Sequence, residues 1–105
     1  MVAPDEKARR RAMKQALRQA EHERFRAALP LSPDLLRAMF SFIDEQLAER
    51  DCDNTLRLAL HFLSERRLDA DLVVEWLENL GGYCDCEVLA NVEERFVEVF
   101  PDALV

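Results

Sequence analysis

The chain of 105 residues is half hydrophobic and one-third charged, a globular composition that excludes an intrinsically disordered chain. It contains only two glycines and four prolines, and sheet proteins need many turns, so the composition favours long helices. Its apolar runs are short and interrupted by charges, which excludes a membrane-spanning helix, and its N-terminus lacks the order of a signal peptide. We therefore expect one small cytoplasmic protein without a membrane partner.

The formal net charge of −7 combines two regions of opposite sign. Residues 1–28 contain eight Lys/Arg and four Asp/Glu, whereas the rest of the chain contains six Lys/Arg and 17 Asp/Glu. A basic segment of net charge +4 thus precedes an acidic body of net charge −11. The segment can bind nucleic-acid phosphates, dock on an acidic surface of the same or another chain, or remain solvated. Phosphates would be bound by Arg9, Arg10, Arg11, Lys14 and Arg18. Aromatic residues do not alternate with these cations, which favours docking or solvation.

The N-terminal segment is predicted to be one long polar helix. Pro4 and Asp5 suit a first helical turn, and the helix is expected to continue to about Leu29. Its apolar stripe is thin and consists of Met13, Leu17, Ala20, Phe25 and Ala28. We therefore expect this helix to dock loosely, or only through its second half.

The second helix is predicted to supply the centre of the core. Ser32 is a suitable N-cap and Pro33 a suitable first helical residue. The apolar residues that follow at helical spacing are Leu35, Leu36, Met39, Phe40, Phe42, Ile43 and Leu47. This is the strongest amphipathic pattern in the chain.

Two shorter helices are predicted next. Asp53 or Thr55 can cap the third helix, whose predicted stripe is Leu56, Ala59, Leu60 and Leu63. Asp69 is expected to cap the fourth, with a stripe of Leu72, Val73, Trp76, Leu77 and Leu80. Gly81-Gly82 should end that helix, with one glycine in the left-handed conformation at C′.

The last segment has two interpretations. Residues 86–92 alternate in part like a strand, but a helix capped by Asp85 places Leu89, Val92, Phe96 and Val99 on one face. No other segment offers a convincing strand partner, so we predict a helix. The chain is then all-α, a small bundle of about five helices. Its basic N-terminal helix occupies residues 1–30, and residues 31–105 form a compact four-helix core.

The three cysteines lie in two breaks that resemble each other. Cys52-Asp53 precedes the third helix and Cys84-Asp85-Cys86 begins the fifth, and an antiparallel hairpin between the breaks would bring them to one end of the bundle. Cys52, Cys84 and Cys86 are therefore candidate metal ligands, and zinc is the ion that suits thiolates in a reducing compartment. Asp53, Asn54 and Asp85 are candidates for a fourth ligand. His61 would lie roughly 10 Å along its helix, too far to take part.

Two other interpretations of the cysteines remain open. They can be small buried thiols beside helix caps, without a metal. They can also be redox-active, because a helix N-terminus lowers the pKa of a thiol, although Asp85 and Glu87 oppose this effect. The usual dithiol spacing is Cys-x-x-Cys, which this chain lacks.

The segment from Gly81 to Val92, GGYCDCEVLANV, resembles the bacterial domain-of-unknown-function family 2695. The resemblance extends from about Leu35 to Val97 and includes CDNTL at residues 52–56 and VEWL at residues 74–77. The family has no assigned activity. Its pattern often places His where this chain has Asn54, which implies a four-ligand set of three cysteines and a histidine. Asn is a poor zinc ligand, so the resemblance leaves the fourth position here to water or Asp53.

The sequence favours a non-enzymatic helical interaction module, acting through a protein partner or self-association, for which a structural zinc at the three cysteines is a candidate. No nucleophile–base–acid set can be assembled around Ser32, Ser41 or Ser64, and Gly81-Gly82 lacks the spacing of a phosphate-binding loop. A nucleic-acid-associating protein that uses the basic helix is one alternative. A thiol-based redox or metal-dependent enzyme is another.

Overall fold

The computed structural model describes residues 4–101, and within this range the chain forms five helices and no strands. The small all-α bundle predicted from the sequence is confirmed. Helices α1 to α4 occupy Pro4–Ala27, Pro33–Glu49, Arg57–Glu65 and Ala70–Asn79. Helix α5 is continuous but changes its winding, with α-helical Asp85–Glu87, π-helical Val88–Glu93 and α-helical Glu94–Val99.

The N-termini of α2 and α4 are capped as predicted. The Ser32 hydroxyl accepts a hydrogen bond from the Leu35 backbone N–H at 3.2 Å, and Pro33 occupies the first turn. The Asp69 carboxylate accepts from the Asp71 N–H at 3.0 Å. Each cap satisfies a backbone donor that has no partner inside its helix.

Helices α3 and α4 end in the same hydrogen-bonded motif, but with different residues in the left-handed position. At the end of α4, Gly81 has φ +88°, and Gly82 N–H donates to Leu77 C=O at 2.8 Å. At the end of α3, Arg67 takes the left-handed position with φ +55°, and Leu68 N–H donates to the Leu63 C=O at 2.9 Å. The glycine at C′ predicted for α4 is confirmed.

The core is centred on α2, whose inward side chains pack against α3 and α5. Its fully buried residues are Leu36, Met39, Phe40 and Ile43. The Phe40 ring meets the Phe96 ring of α5 edge to face, with centroids 5.4 Å apart. The predicted centre of the core is thus confirmed.

The buried faces of α3 and α4 differ in part from the predicted stripes. Leu60 and Leu72 were both expected inside, but they are 43% and 61% exposed. In α3, Leu58 and Phe62 are buried instead of Leu60. The physical reason is that α3 contacts α2, α4 and α5, so its buried arc is rotated and wider than a stripe against one neighbour.

The π-helical part of α5 buries Val88 and Val92 fully and leaves Ala90 exposed, because the two valines lie four residues apart on one face of the helix. Cys86, which belongs to the same strand-like alternation in the sequence, is exposed as well, so the alternation does not mark a buried face. Both valines press on Gly82: a Cβ there would lie 2.8 Å from Val92 Cγ2 and 3.1 Å from Val88 Cγ2. Any side chain at position 82 would clash with α5, because α5 packs directly on the Gly82 backbone. The predicted helix is confirmed, with this change of winding.

Helix α1 docks on the bundle only through its second half, as predicted. Phe25 is buried and its ring lies 5.8 Å from that of Trp76, and the Arg26 guanidinium donates to the Val99 C=O at 3.2 Å. Met13 and Leu17 are more than 60% exposed. The molecule measures 57 × 26 × 25 Å, because the first half of α1 projects from the bundle.

Replacing Arg67 by Gly should raise the free energy of unfolding by about 0.5–1 kcal/mol, because a Cβ is strained in the left-handed conformation. Urea denaturation followed by circular dichroism measures the change. Arg67→Ala is the matched control, since it removes the side chain but keeps the Cβ. Equal stabilisation by both changes would contradict this explanation.

Replacing Glu93 by Gln should stabilise the protein at neutral pH by less than about 1 kcal/mol. Burial, and then the nearby Asp44 carboxylate, raise the pKa of Glu93. A raised pKa in the folded state means that Glu93 destabilises the fold as pH rises through that pKa, and has no such effect below the ordinary Glu pKa of about 4.3. The gain should therefore appear at pH 7 and vanish near pH 4. Exposed Glu94→Gln is the control, and an equal gain at both pH values would contradict the assignment.

Candidate metal centre

The three cysteines that the sequence places in separate breaks meet at one end of the bundle. The sulfurs of Cys52, Cys84 and Cys86 all lie within 4.8 Å of one another, and those of Cys84 and Cys86 are 3.2 Å apart. Cys84 is buried, Cys52 is half-buried and Cys86 is exposed, so the cluster opens to solvent on one side. Three free thiols at these separations can bind a metal ion.

Asp85 joins the two cysteine-bearing segments through both its backbone and its side chain. Its backbone N–H donates to the Thr55 C=O at 2.9 Å. Its carboxylate accepts from the backbone N–H groups of Leu58 at 2.9 Å and Ala59 at 3.1 Å. Asp85 therefore binds the segment before α3 and the first turn of α3 at once.

The expectation that Asp85 caps its own helix is corrected by this arrangement. Cys84 occupies the N-cap position of α5, whereas Asp85 caps α3. The residue at the N-cap position of α3 is Leu56, which has no side-chain oxygen, so the buried N–H groups need an acceptor from elsewhere in the chain. Burial raises the pKa of Asp85, and the two N–H groups oppose that rise.

The segment before α3 is organised by Asp53 and Thr55. The Asp53 carboxylate accepts from the Thr55 N–H at 3.0 Å and from its hydroxyl, and its second oxygen faces Arg57 Nε at 3.3 Å. The Thr55 hydroxyl in turn accepts from the Arg57 N–H, the first of α3, at 3.3 Å. Of the cap that was predicted for α3 at Asp53 or Thr55, this one hydrogen bond is present. Hydrogen bonding to Thr55 is the main effect that holds the pKa of Asp53 below its usual value.

The environments of Cys52 and Cys84 shift their thiol pKa values in opposite directions. Burial raises the pKa of Cys84. Burial also acts to raise the pKa of Cys52, but hydrogen bonds from the backbone N–H groups of Cys86 and Asn54 and from the other thiols outweigh it, so that pKa is lowered. Because metals bind thiolates, a metal at this cluster must displace the Cys84 proton, and binding should strengthen as pH rises.

Comparison with known proteins assigns the chain to a family. The sequence profile of a family described as a protein of unknown function (DUF2695) matches residues 39–91. The chain belongs to the DUF2695 family. Uncharacterized proteins of Mycobacterium bovis and of two strains of Mycobacterium tuberculosis are each 39% identical to it over 97 residues. The alignments cover 92% of this chain and 98% of each relative. No solved structure matches the chain.

The region matched by the DUF2695 profile contains all three cysteines and Asp85, and it excludes α1. The bacterial family inferred from the cysteine segment is thereby confirmed. Because the matched region holds both breaks, the cluster and the Asp85 cap both lie within the family domain.

The candidates for a fourth ligand lie in different positions around the cluster. The carboxylates of Asp53 and Asp85 hydrogen-bond to α3 and the segment before it. Asn54 is exposed and left-handed, with φ +67°, a conformation that Asn and His tolerate better than most residues. His61 stacks on Phe42 with ring centroids 5.9 Å apart and faces Glu65.

Glu87 is a site residue that the sequence reasoning treated only as an unfavourable charge. Its Oε1 accepts from the Cys84 thiol at 3.4 Å, which makes it a carboxylate beside the cluster. The signal was present in the sequence, because Glu three residues after an N-cap residue is the spacing of a capping box.

The basic side chains proposed to bind phosphates lie away from any buried surface. Arg9, Arg10, Arg11, Lys14 and Arg18 are all exposed on the projecting half of α1. Between residues 4 and 101, no helix is long and apolar enough to cross a membrane.

Replacing Asp85 by Asn should lower the free energy of unfolding by about 2–3 kcal/mol in metal-free buffer, because the amide nitrogen cannot accept a hydrogen bond and leaves a buried donor unpaired. Denaturation in urea with a chelator present measures the loss. Asp69→Asn is the control, since Asn is an equally good cap at that exposed position and should cost less than about 0.5 kcal/mol. If the two changes cost the same, the remote cap is not important for stability.

Proposed function

We propose that the protein is a non-enzymatic helical module with a structural zinc ion bound by Cys52, Cys84 and Cys86. The observation that carries the proposal is the convergence of three sulfurs, all within 4.8 Å of one another, from positions 32 residues apart in the chain. Side chains so distant in sequence meet only because the fold brings both breaks to one end of the bundle.

The donor set favours zinc over other common ions. Three thiolates suit a borderline-soft cation, whereas Mg²⁺ and Ca²⁺ prefer oxygen ligands. Zinc–sulfur bonds of about 2.3 Å in a tetrahedral site place the sulfurs about 3.8 Å apart. The observed Cys84–Cys86 separation of 3.2 Å therefore needs only a small rotamer adjustment to admit the ion.

The location of the cluster favours a structural role for the ion. Cys52 lies in the segment before α3 and the other two cysteines lie at the start of α5, the segments that Asp85 already joins. A bound ion would add a second cross-link at the same junction and stabilise the same arrangement. The fourth position would be filled by water or by Glu87, whose carboxylate lies beside Cys84.

Protein purified under reducing conditions should contain one zinc ion per chain, measured by elemental analysis. Cys84→Ser and Cys52→Ser should each lose the metal, because two thiolates alone hold zinc weakly. Zinc at a free concentration of 100 times its dissociation constant should add about 2.7 kcal/mol to the free energy of unfolding, and this gain should disappear in both variants.

Ser41→Ala is the control, because Ser41 is an exposed small polar residue on α2. Its replacement should leave the metal content unchanged. Absence of stoichiometric zinc in the reduced wild-type protein would refute the proposal. Asn54→His tests the fourth position separately: an imidazole there should raise zinc affinity at least about tenfold, or about 1.4 kcal/mol.

A further inference from the structure

The projecting half of α1 carries an apolar spot inside a strongly basic surface. Met13 and Leu17 are 61% and 62% exposed and lie one turn apart on the same face. Residues 7–18 contain six Lys/Arg and no Asp/Glu. This surface is called the basic arm below.

A groove of about 340 Å³ between the end of α1 and α4 has the opposite character. Its apolar lining includes Leu29, Pro30, Leu72 and Trp76, and Leu72 is 61% exposed. Glu75 is the one charged residue in the groove lining, and α4 carries two more exposed carboxylates, Asp71 and Glu78, and no basic residue. This surface is called the acidic groove below.

We propose that the basic arm of one copy of the chain docks in the acidic groove of a second copy. The Met13 and Leu17 side chains would cover Leu72 and Trp76, and arginines of the arm would face Glu75 and its acidic neighbours. The two surfaces match in apolar content and are opposite in charge, which is what specific association requires. The proposal does not depend on zinc.

The spacing of the two surfaces allows both contacts to form at once. Leu17 and Ala27, the last residue of α1, are ten residues apart, which is about 15 Å along the helix axis. If two α1 helices run antiparallel about a two-fold axis near Glu21 and His22, each arm reaches the end of the partner's α1, where the groove begins. A single symmetric contact therefore uses both surfaces twice and closes the assembly as a dimer.

A second copy fits these observations better than a nucleic acid. Phosphates would pair with the arginines but would leave Met13 and Leu17 uncovered, and the arm has no aromatic side chain on which a base can stack. An apolar spot within a cationic helix face is typical of a helix that lies in a groove of a protein.

Sedimentation velocity on the full chain, from about 1 µM to about 1 mM in reducing buffer, tests the proposal. The wild type should shift from monomer to dimer across this range. Leu17→Asp in the arm and Leu72→Asp in the groove should each weaken dimerisation at least tenfold. Leu60→Asp is the matched control, since Leu60 is 43% exposed on α3 outside both surfaces, and it should dimerise as the wild type does.

Mixing the two defective variants distinguishes docking from a loss of folding. One intact arm and one intact groove remain in a mixed pair, so Leu17→Asp and Leu72→Asp together should form more dimer than either alone. Wild type that stays monomeric to 1 mM, or Leu72→Asp that dimerises normally, would overturn the proposal. A monomer that binds RNA through Arg9, Arg10 and Arg11 would overturn it in favour of a nucleic-acid partner.

Discussion

The buried carboxylate of Asp85 is the interaction on which the cysteine-bearing end of the bundle depends. The backbone N–H groups of Leu58 and Ala59, in the first turn of α3, belong to buried residues and have no acceptor from their own segment, since Leu56 stands at the N-cap position. Asp85 supplies that acceptor from 26–27 residues further along the chain, and its own N–H is held by Thr55. An unpaired buried donor costs more than the net value of a hydrogen bond, so the pairing favours one position of α5 over others. Cys84 and Cys86 flank Asp85 and are therefore placed beside Cys52 by the same constraint.

The start of α5 is fixed from a second side by the close approach of its valines to Gly82. Val88 and Val92, in the π-helical part of α5, both lie against the Gly82 backbone, where a Cβ would clash. Asn91 completes this contact, since its side-chain amide donates to the Gly81 C=O at 2.9 Å. Between the Gly81-Gly82 turn and the Asp85 cap, the cysteine segment has little freedom to move. A preformed arrangement of thiols lowers the entropic cost of binding an ion.

The charge asymmetry has a separate structural basis. The acidic body is compact and contains the family domain, whereas the basic arm lies outside the matched region and outside the core. A helix that projects without burying its apolar spot gains little stability from packing. It depends instead on the high helix propensity of its Ala and Arg residues. The two halves of the chain thus differ: the body positions the cysteine cluster, whereas the arm is the surface that we propose to dock on a second copy.

The sequence by itself determined the helices, the caps of α2 and α4 and the identity of the three clustered cysteines. These features are local: Ser32 and Asp69 cap helices within three residues, Gly81 takes a conformation that glycine prefers, and the apolar period of α2 marks the core. Only the tertiary structure decided what Asp85 binds, which leucines of α3 and α4 are exposed, and that α5 has a π-helical turn. Those outcomes depend on which neighbours surround each element. A buried donor takes whichever acceptor the packing brings to it. A helix such as α3, which contacts three others, buries a wider arc than its own sequence period indicates.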